Sequence, residues 1–224
     1  MKLIKHSLFP IVLLIALAGI STFFLLEIQA IKKRNRGQDL LIWSTQKQIP
    51  SLAKYTLLVK ELNEASQNKM TAYEVTEVAR VIVSYCAMYE DIGLTSDVVM
   101  AVMERESAFN PKALSKAHAR GLMQVIQTTF ELHLQGLGYG AYSHDLAFNP
   151  VINTEVGIRH LVYLRKYWLS EGKDDWLYPI MSYFWGVRNT WELLNTKGRS
   201  SLPSLEYADG VLELAKKWQT RGVS

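Results

Sequence analysis

Met103-Glu104-Arg105-Glu106-Ser107-Ala108-Phe109-Asn110-Pro111, followed by Ser115 and then Gly121-Leu122-Met123-Gln124, sets a carboxylate at the end of an apolar helix, ahead of a polar loop and a glycine turn. Ser96-Asp97 makes a good helix start, because short polar side chains accept from the free N–H groups of a first turn. Asn110-Pro111 is expected to stop the helix, since proline disfavours the α conformation in the residue before it. Between these limits Val99, Val102, Met103 and Glu106 recur at helical spacing on one face. Glu106 therefore belongs to the face expected to be buried, and Glu104 to the outward one. A carboxylic acid among apolar neighbours resists ionising, so its pKa rises and it can donate a proton near neutral pH.

Outward from this helix the chain reads as helical almost throughout. Thr71-x-x-Glu74 is a capping-box signature for a helix running to about Met88. Leu52, Tyr55, Val59 and Leu62 recur at helical spacing after Pro50 and predict an amphipathic helix there. Thr128 to Gln135 reads as a short helix ending at Gly136, Gly138 and Gly140. Asn149-Pro150 opens a long helix with Ile152, Val156, Leu161, Leu164 and Trp168 inward. Pro179 to Leu194 and Ser204 to Trp218 complete the set, and no period-2 strand run, internal repeat or low-complexity tract interrupts it. Cys86 is the single cysteine and falls in an apolar pattern with Val78, Ile82 and Tyr89, which reads as a buried, inert thiol.

Ser7 to Leu26 is an uncharged run of 20 residues. At ~1.5 Å per residue that length spans a bilayer's hydrocarbon core of roughly 30 Å. A secretory signal has a shorter apolar region and a small-x-small cleavage site, neither of which is present, so an uncleaved membrane anchor is expected. The net charge of +4 is concentrated around this run: Lys2, Lys5, Lys32, Lys33, Arg34 and Arg36 leave 19 basic against 20 acidic residues once Glu27 is also set aside. With no basic domain, nucleic acid is not the expected partner. The basic cluster after Leu26 would, by the positive-inside rule, keep the large domain in the cytoplasm.

The pattern Glu106-Ser107-x-Phe109-Asn110-Pro111-x-Ala113-x-Ser115, then Gly121-Leu122-Met123-Gln124, resembles the lytic transglycosylases of the soluble-lytic-transglycosylase type, relatives of goose-type lysozyme. Asn149-Pro150, Asn153, Gly157 and Tyr163-Leu164 resemble that family's second block. Ser182-Tyr183-Phe184-Trp185-Gly186 sits where the family has Ala-Tyr-Asn-x-Gly. The resemblance covers about Val75 to Trp218 and departs from the pattern at three places. Phe184 replaces the usual asparagine, His118 a common glycine, and Gln127 a common proline.

The resemblance implies an all-α-dominated, lysozyme-like (α+β) fold, with a short hairpin possible between Ser107 and Met123. The expected organisation is a membrane anchor over 1–36, a juxtamembrane helical segment over 37–70, and one compact lysozyme-like domain over 71–220. It implies peptidoglycan glycan strands as substrate, no metal or cofactor, and a catalytic domain facing the periplasm from the inner membrane, against the positive-inside count. Partners in an envelope-spanning machine are left open.

By the same resemblance Glu106 is the catalytic acid, then base. Ser115 lines the cleft and hydrogen-bonds near the acid or sugar, Gln124 binds an N-acetyl group or hydroxyl, and the Tyr183 hydroxyl orients the glutamate. Trp176, Phe184, Trp185 and Trp191 are candidates for flat faces against sugar rings. His118, His133, His144 and His160 show no metal-ligand spacing. Most glycosidases use two carboxylates; the resemblance implies one. Glu106 would protonate the oxygen between N-acetylmuramic acid and N-acetylglucosamine, then take the proton from the muramyl C6 hydroxyl as a 1,6-anhydro ring closes. A hydrolytic muramidase with Asp145 activating water, and a weakly active peptidoglycan-binding element, are the alternative readings.

Overall fold

The computed structural model describes residues 52–134, 143–195 and 203–223. The apolar run at Ser7–Leu26, the basic cluster after it, and Gly136, Gly138 and Gly140 lie outside the described residues. The described chain forms α1 (Leu52–Ser66), α2 (Ala72–Met88), α3 (Ser96–Ser107), α4 (Gln127–Leu134), α5 (Pro150–Ser170), α6 (Leu177–Trp185), α7 (Val187–Asn195) and α8 (Pro203–Thr220), with 3-10 turns at Glu90–Ile92 and His144–Phe148. Among the described residues no strand forms. The expected hairpin reduces to isolated bridges, Leu114 to Arg120 and Arg120 to Val125. No helix among them is long and apolar enough to cross a membrane.

Local signals account for the starts of α2 and α5, whereas α3 begins after Thr95 with no side-chain cap, so the expected Ser96-Asp97 cap does not form. Thr71 Oγ1 accepts from the Glu74 amide at 3.2 Å while the Thr71 amide donates to Glu74 Oε2 at 2.8 Å, so two otherwise orphaned donors are satisfied. Asn149 Oδ1 accepts from the amides of Val151 and Ile152 at 3.0 and 3.1 Å, with Pro150 as the first helical residue, where its missing N–H costs nothing. The expected helix from Pro179 to Leu194 is two helices, because Gly186 adopts φ 83°, ψ 155° and ends α6 before α7 begins.

α3 is the axis of the core. Val98 through Met103 are all buried, and α8 lies against the helix through Tyr207, Ala208, Val211, Ala215 and Trp218. α1 joins the same core through Leu58 and Leu62, and its buried Glu61 pairs with Arg221 after α8. Among the described residues, α1 is therefore part of the same packed unit as the helices after residue 71. Polar links are buried with their partners: Trp168 Nε1 donates to Ser182 Oγ at 2.8 Å, and Ser182 Oγ to Thr190 Oγ1 at 3.1 Å, joining α5, α6 and α7.

The turn Gly121–Gln124 is fixed against α5 by Asn153. This fully buried side chain accepts from the Met123 amide at 2.8 Å and donates to the carbonyls of Arg120 and Ala147, each at 2.8 Å. Gly121 has φ +77°, and a Cβ there would come within 2.2 Å of the Ala147 carbonyl oxygen and 2.4 Å of Asn153 Nδ2. A Cβ on Gly157 would strike Met123 Sδ at 2.4 Å. Asn153 and Gly157 of the second sequence block therefore seat the turn. Replacing Asn153 strands the Met123 amide and the Ala147 carbonyl, each costing on the order of 1–3 kcal/mol, whereas the Arg120 carbonyl keeps the Val125 amide at 3.0 Å. Asn153→Ala is expected to lower stability in urea unfolding by about 3 kcal/mol; a loss under about 1 kcal/mol would contradict this role for the amide.

Candidate active site

Glu106 occupies the last turn of α3, one residue before the helix ends. The helix stops at Ser107, earlier than Asn110-Pro111, because Ala108 (φ 48°) and Phe109 (φ 57°) both take the left-handed conformation. Two such non-glycine residues in succession are costly. Burial of Phe109, edge-on to Trp218 at 5.8 Å, and a hydrogen bond from Lys69 Nζ to the Ala108 carbonyl at 2.9 Å offset the strain. The break turns the chain abruptly away and leaves Glu106 facing a cleft of about 300 Å³.

Ser115, Gln124 and Tyr183 line that cleft together with Glu106, so all four residues singled out in the sequence converge there. Val125, Ile126, Ala117 and Ala119 supply apolar wall, and His160 and Phe184 close it from α5 and α6. Among the described residues, no second carboxylate lines it.

The hydrogen bonds differ from the expected ones. Tyr183 does not hold the glutamate: its hydroxyl donates to the Met123 carbonyl at 2.8 Å. The phenol on Glu106 is Tyr207 of α8, whose hydroxyl donates to Oε1 at 2.5 Å. Ser115 Oγ accepts from the Ala119 amide at 3.0 Å, a local turn contact, while remaining on the cleft wall. Gln124 (φ 47°) donates Nε2 to the carbonyls of Ala113 and Gly121 at 3.2 and 3.0 Å. Its amide hydrogens are engaged inside the loop, so the side chain offers a ligand its oxygen. Ser107 Oγ donates to the Leu122 carbonyl at 2.7 Å and ties the end of α3 to the same turn. His118 has φ 60°, the conformation that favours the glycine it replaces.

Burial pushes the Glu106 carboxyl up to about 7; the Tyr207 hydrogen bond and the Arg105 charge pull the other way and are outweighed. His160 Nδ1 lies 3.1 Å from His133 Nε2, and burial lowers these imidazoles to about 3 and about 4, so both are neutral at neutral pH, with His160 facing the cleft. Glu104 is not a solvated surface carboxylate, because it accepts from Trp218 Nε1 at 2.7 Å. Asp145 lies outside the cleft, its side chain 78% exposed and in a salt bridge with Arg120 at 2.6 Å. Of the four candidate aromatics only Phe184 reaches the cleft: Trp191 packs on Trp168 and donates to the Tyr167 hydroxyl, and Trp176 donates to the Gly93 carbonyl. Burial pushes the Cys86 thiol up to about 12, as suits an inert side chain.

The family model described as "Transglycosylase SLT domain" matches residues 88–202, just over half of the chain and all of the residues lining the cleft, while Tyr207 falls beyond it. The chain belongs to the transglycosylase SLT domain family. Curated proteins similar to it include membrane-bound lytic murein transglycosylase C of Histophilus somni, 39% identical over 81 residues, and that of Shigella sonnei, 36% identical over 86. These alignments cover 35% and 37% of this chain but 22% and 23% of those proteins, so the chain spans under a quarter of their length. Among solved structures, the 70-kDa soluble lytic transglycosylase in complex with bulgecin A aligns with a TM-score of 0.53 at 18% identity, covering 81% of this chain and 32% of that one. An inactive Glu-to-Gln mutant of lytic transglycosylase Slt from Pseudomonas aeruginosa aligns with a TM-score of 0.52 at 14% identity, covering 87% and 37%. Those two likenesses show that the helical arrangement is that of an SLT domain.

Proposed function

We propose that this SLT domain is a peptidoglycan lytic transglycosylase in which Glu106 alone serves as acid and then as base. The observation that carries the reading is a single carboxyl, with a pKa of about 7, in an apolar-walled cleft with no second carboxylate among the described lining residues. A protonated Glu106 delivers its proton to the glycosidic oxygen between N-acetylmuramic acid and N-acetylglucosamine. The substrate's acetamido oxygen stabilises positive charge at the anomeric carbon as the bond breaks. The Glu106 carboxylate, steadied by the Tyr207 hydroxyl, then takes the proton of the muramyl C6 hydroxyl, whose oxygen attacks the anomeric carbon and closes a 1,6-anhydro ring. The net proton change is zero and no water is consumed.

Around this chemistry Gln124 presents its amide oxygen to a sugar hydroxyl or acetamido N–H, and Ser115 lines the wall beside it. Tyr183 acts on the turn that carries Gln124. Activation of water by Asp145, the hydrolytic alternative, is disfavoured by the position of that carboxylate in an exposed pair with Arg120. We further propose that Ser7–Leu26 anchors the protein in the inner membrane with the domain in the periplasm, in keeping with the apolar run, the substrate's location and the name of the membrane-bound relatives.

Glu106→Gln keeps the shape of the side chain but removes its proton. It is expected to abolish release of muropeptides from purified peptidoglycan while the helical circular-dichroism signal is unchanged; retention of more than roughly a few per cent of the activity would move the role elsewhere. In the unsubstituted protein the rate should fall as pH rises through about 7, because the protonated form is lost there. For the anchor, protease added to spheroplasts should digest the domain while cytoplasmic markers survive; a domain protected until the membrane is broken would reverse the orientation.

A further inference from the structure

Phe184 stands where the family pattern has asparagine, and the proposed chemistry makes no use of it. It lies at the end of α6, just before the break at Gly186, and is 48% exposed although it lines the cleft. Its ring stacks on that of Tyr207, with centroids 4.7 Å apart and planes 21° from parallel. Tyr207 is the residue whose hydroxyl reaches Glu106 Oε1 at 2.5 Å. The Arg105 guanidinium also lies over the Tyr207 ring, 5.8 Å from its centroid.

We propose that Phe184 is a positioning residue for Glu106: its ring pins the Tyr207 phenol on the carboxyl and keeps water from that side of the cleft. The proposal rests on the reading of Glu106 as the acid and adds to it the element that holds the acid ready. An offset aromatic pair attracts beyond the area it buries, enough to restrict a phenol that could otherwise swing. An asparagine amide has no such face, and it would bring hydration to the place the ring now covers. The chain thus puts an apolar ring where a polar contact to sugar is usual.

The direction of the effect follows from the groups around Glu106. Arg105 from α3 and the Tyr207 hydroxyl from α8 favour the carboxylate, whereas desolvation opposes it and outweighs them. From α6 and α5, Tyr183 and His160 face the same cleft; burial pushes the Tyr183 phenol well above its usual range and lowers the His160 imidazole to about 3, so both are neutral at neutral pH. Removing the Phe184 ring admits water to the carboxyl and also loosens the phenol. The two consequences act in opposite senses, and because desolvation is the larger influence the carboxyl becomes easier to ionise.

The test is an NMR titration of the Glu106 side-chain carboxyl carbon in the whole protein, labelled at glutamate and assigned by comparison with Glu106→Gln. It is run on the unsubstituted protein and on Phe184→Ala, Phe184→Asn and Phe184→Tyr. The unsubstituted protein is expected to titrate near 7, Phe184→Tyr with it, and Phe184→Ala and Phe184→Asn lower by roughly one pH unit or more. Muropeptide release at pH 7 should fall about fivefold or more in the latter two through kcat, with Phe184→Tyr largely preserved. Folding is checked by circular dichroism, and Phe184→Asn is the variant most compatible with the fold, because asparagine is usual in the family at this place. An unchanged midpoint in folded Phe184→Asn overturns the proposal. The titration needs no turnover, so a protein that titrates as expected but releases no muropeptides would sink the proposed function and leave the role of Phe184 standing.

Discussion

The side-chain amide of Asn153, buried with three hydrogen bonds to backbone groups of two loops, is the constraint on which the cleft depends. It holds the Met123 amide and the Arg120 carbonyl, and so fixes the turn that carries Gln124. Two other helices grip the same turn: Ser107 of α3 donates to the Leu122 carbonyl, and Tyr183 of α6 to the Met123 carbonyl. The turn is thereby clamped by α3, α5 and α6 through backbone atoms. Glycine at 121 and 157 is required because the approach is too close for a side chain. Several residues that look functional in the sequence thus act by placing others.

With the turn fixed, the proposed chemistry rests on one carboxyl. Glu106 is surrounded by apolar wall and neutral polar groups, and the bond from Tyr207 is too little to keep it ionised against burial. A site with a second carboxylate near Glu106 would raise one pKa and lower the other, and could activate water. Here Asp145, the nearest sequence candidate, spends its charge on Arg120 at the surface. In the proposed reaction the muramyl C6 hydroxyl, being in the same sugar as the reacting carbon, has the intramolecular advantage.

What could be read from the sequence was local. The capping box at Thr71 and Glu74, the proline-led start of α5 and the inward face of α3 depend on neighbours within a turn or two, and they appear where the spacing predicts them. Glu106, Ser115, Gln124 and Tyr183 share one cleft as the family pattern implies, but their partners were not legible. Tyr207 lies 101 residues from Glu106, and its spacing with Val211 and Trp218 marks it only as an inward aromatic of α8. The Trp218 indole that engages Glu104 is equally remote, so periodicity alone misassigned that carboxylate to solvent. The early end of α3 is set by the packing of Phe109 on Trp218, and Asn110-Pro111 marks the stop too late.

The central claim is that one carboxyl does the work of two because the nucleophile belongs to the substrate. Mass spectrometry of muropeptides released from purified peptidoglycan tests it most directly. Muramyl ends lighter by one water than the hydrolysed form are the predicted main product. Reducing muramyl ends as the main product would show that water attacks, and would contradict the account while leaving Glu106 as the acid.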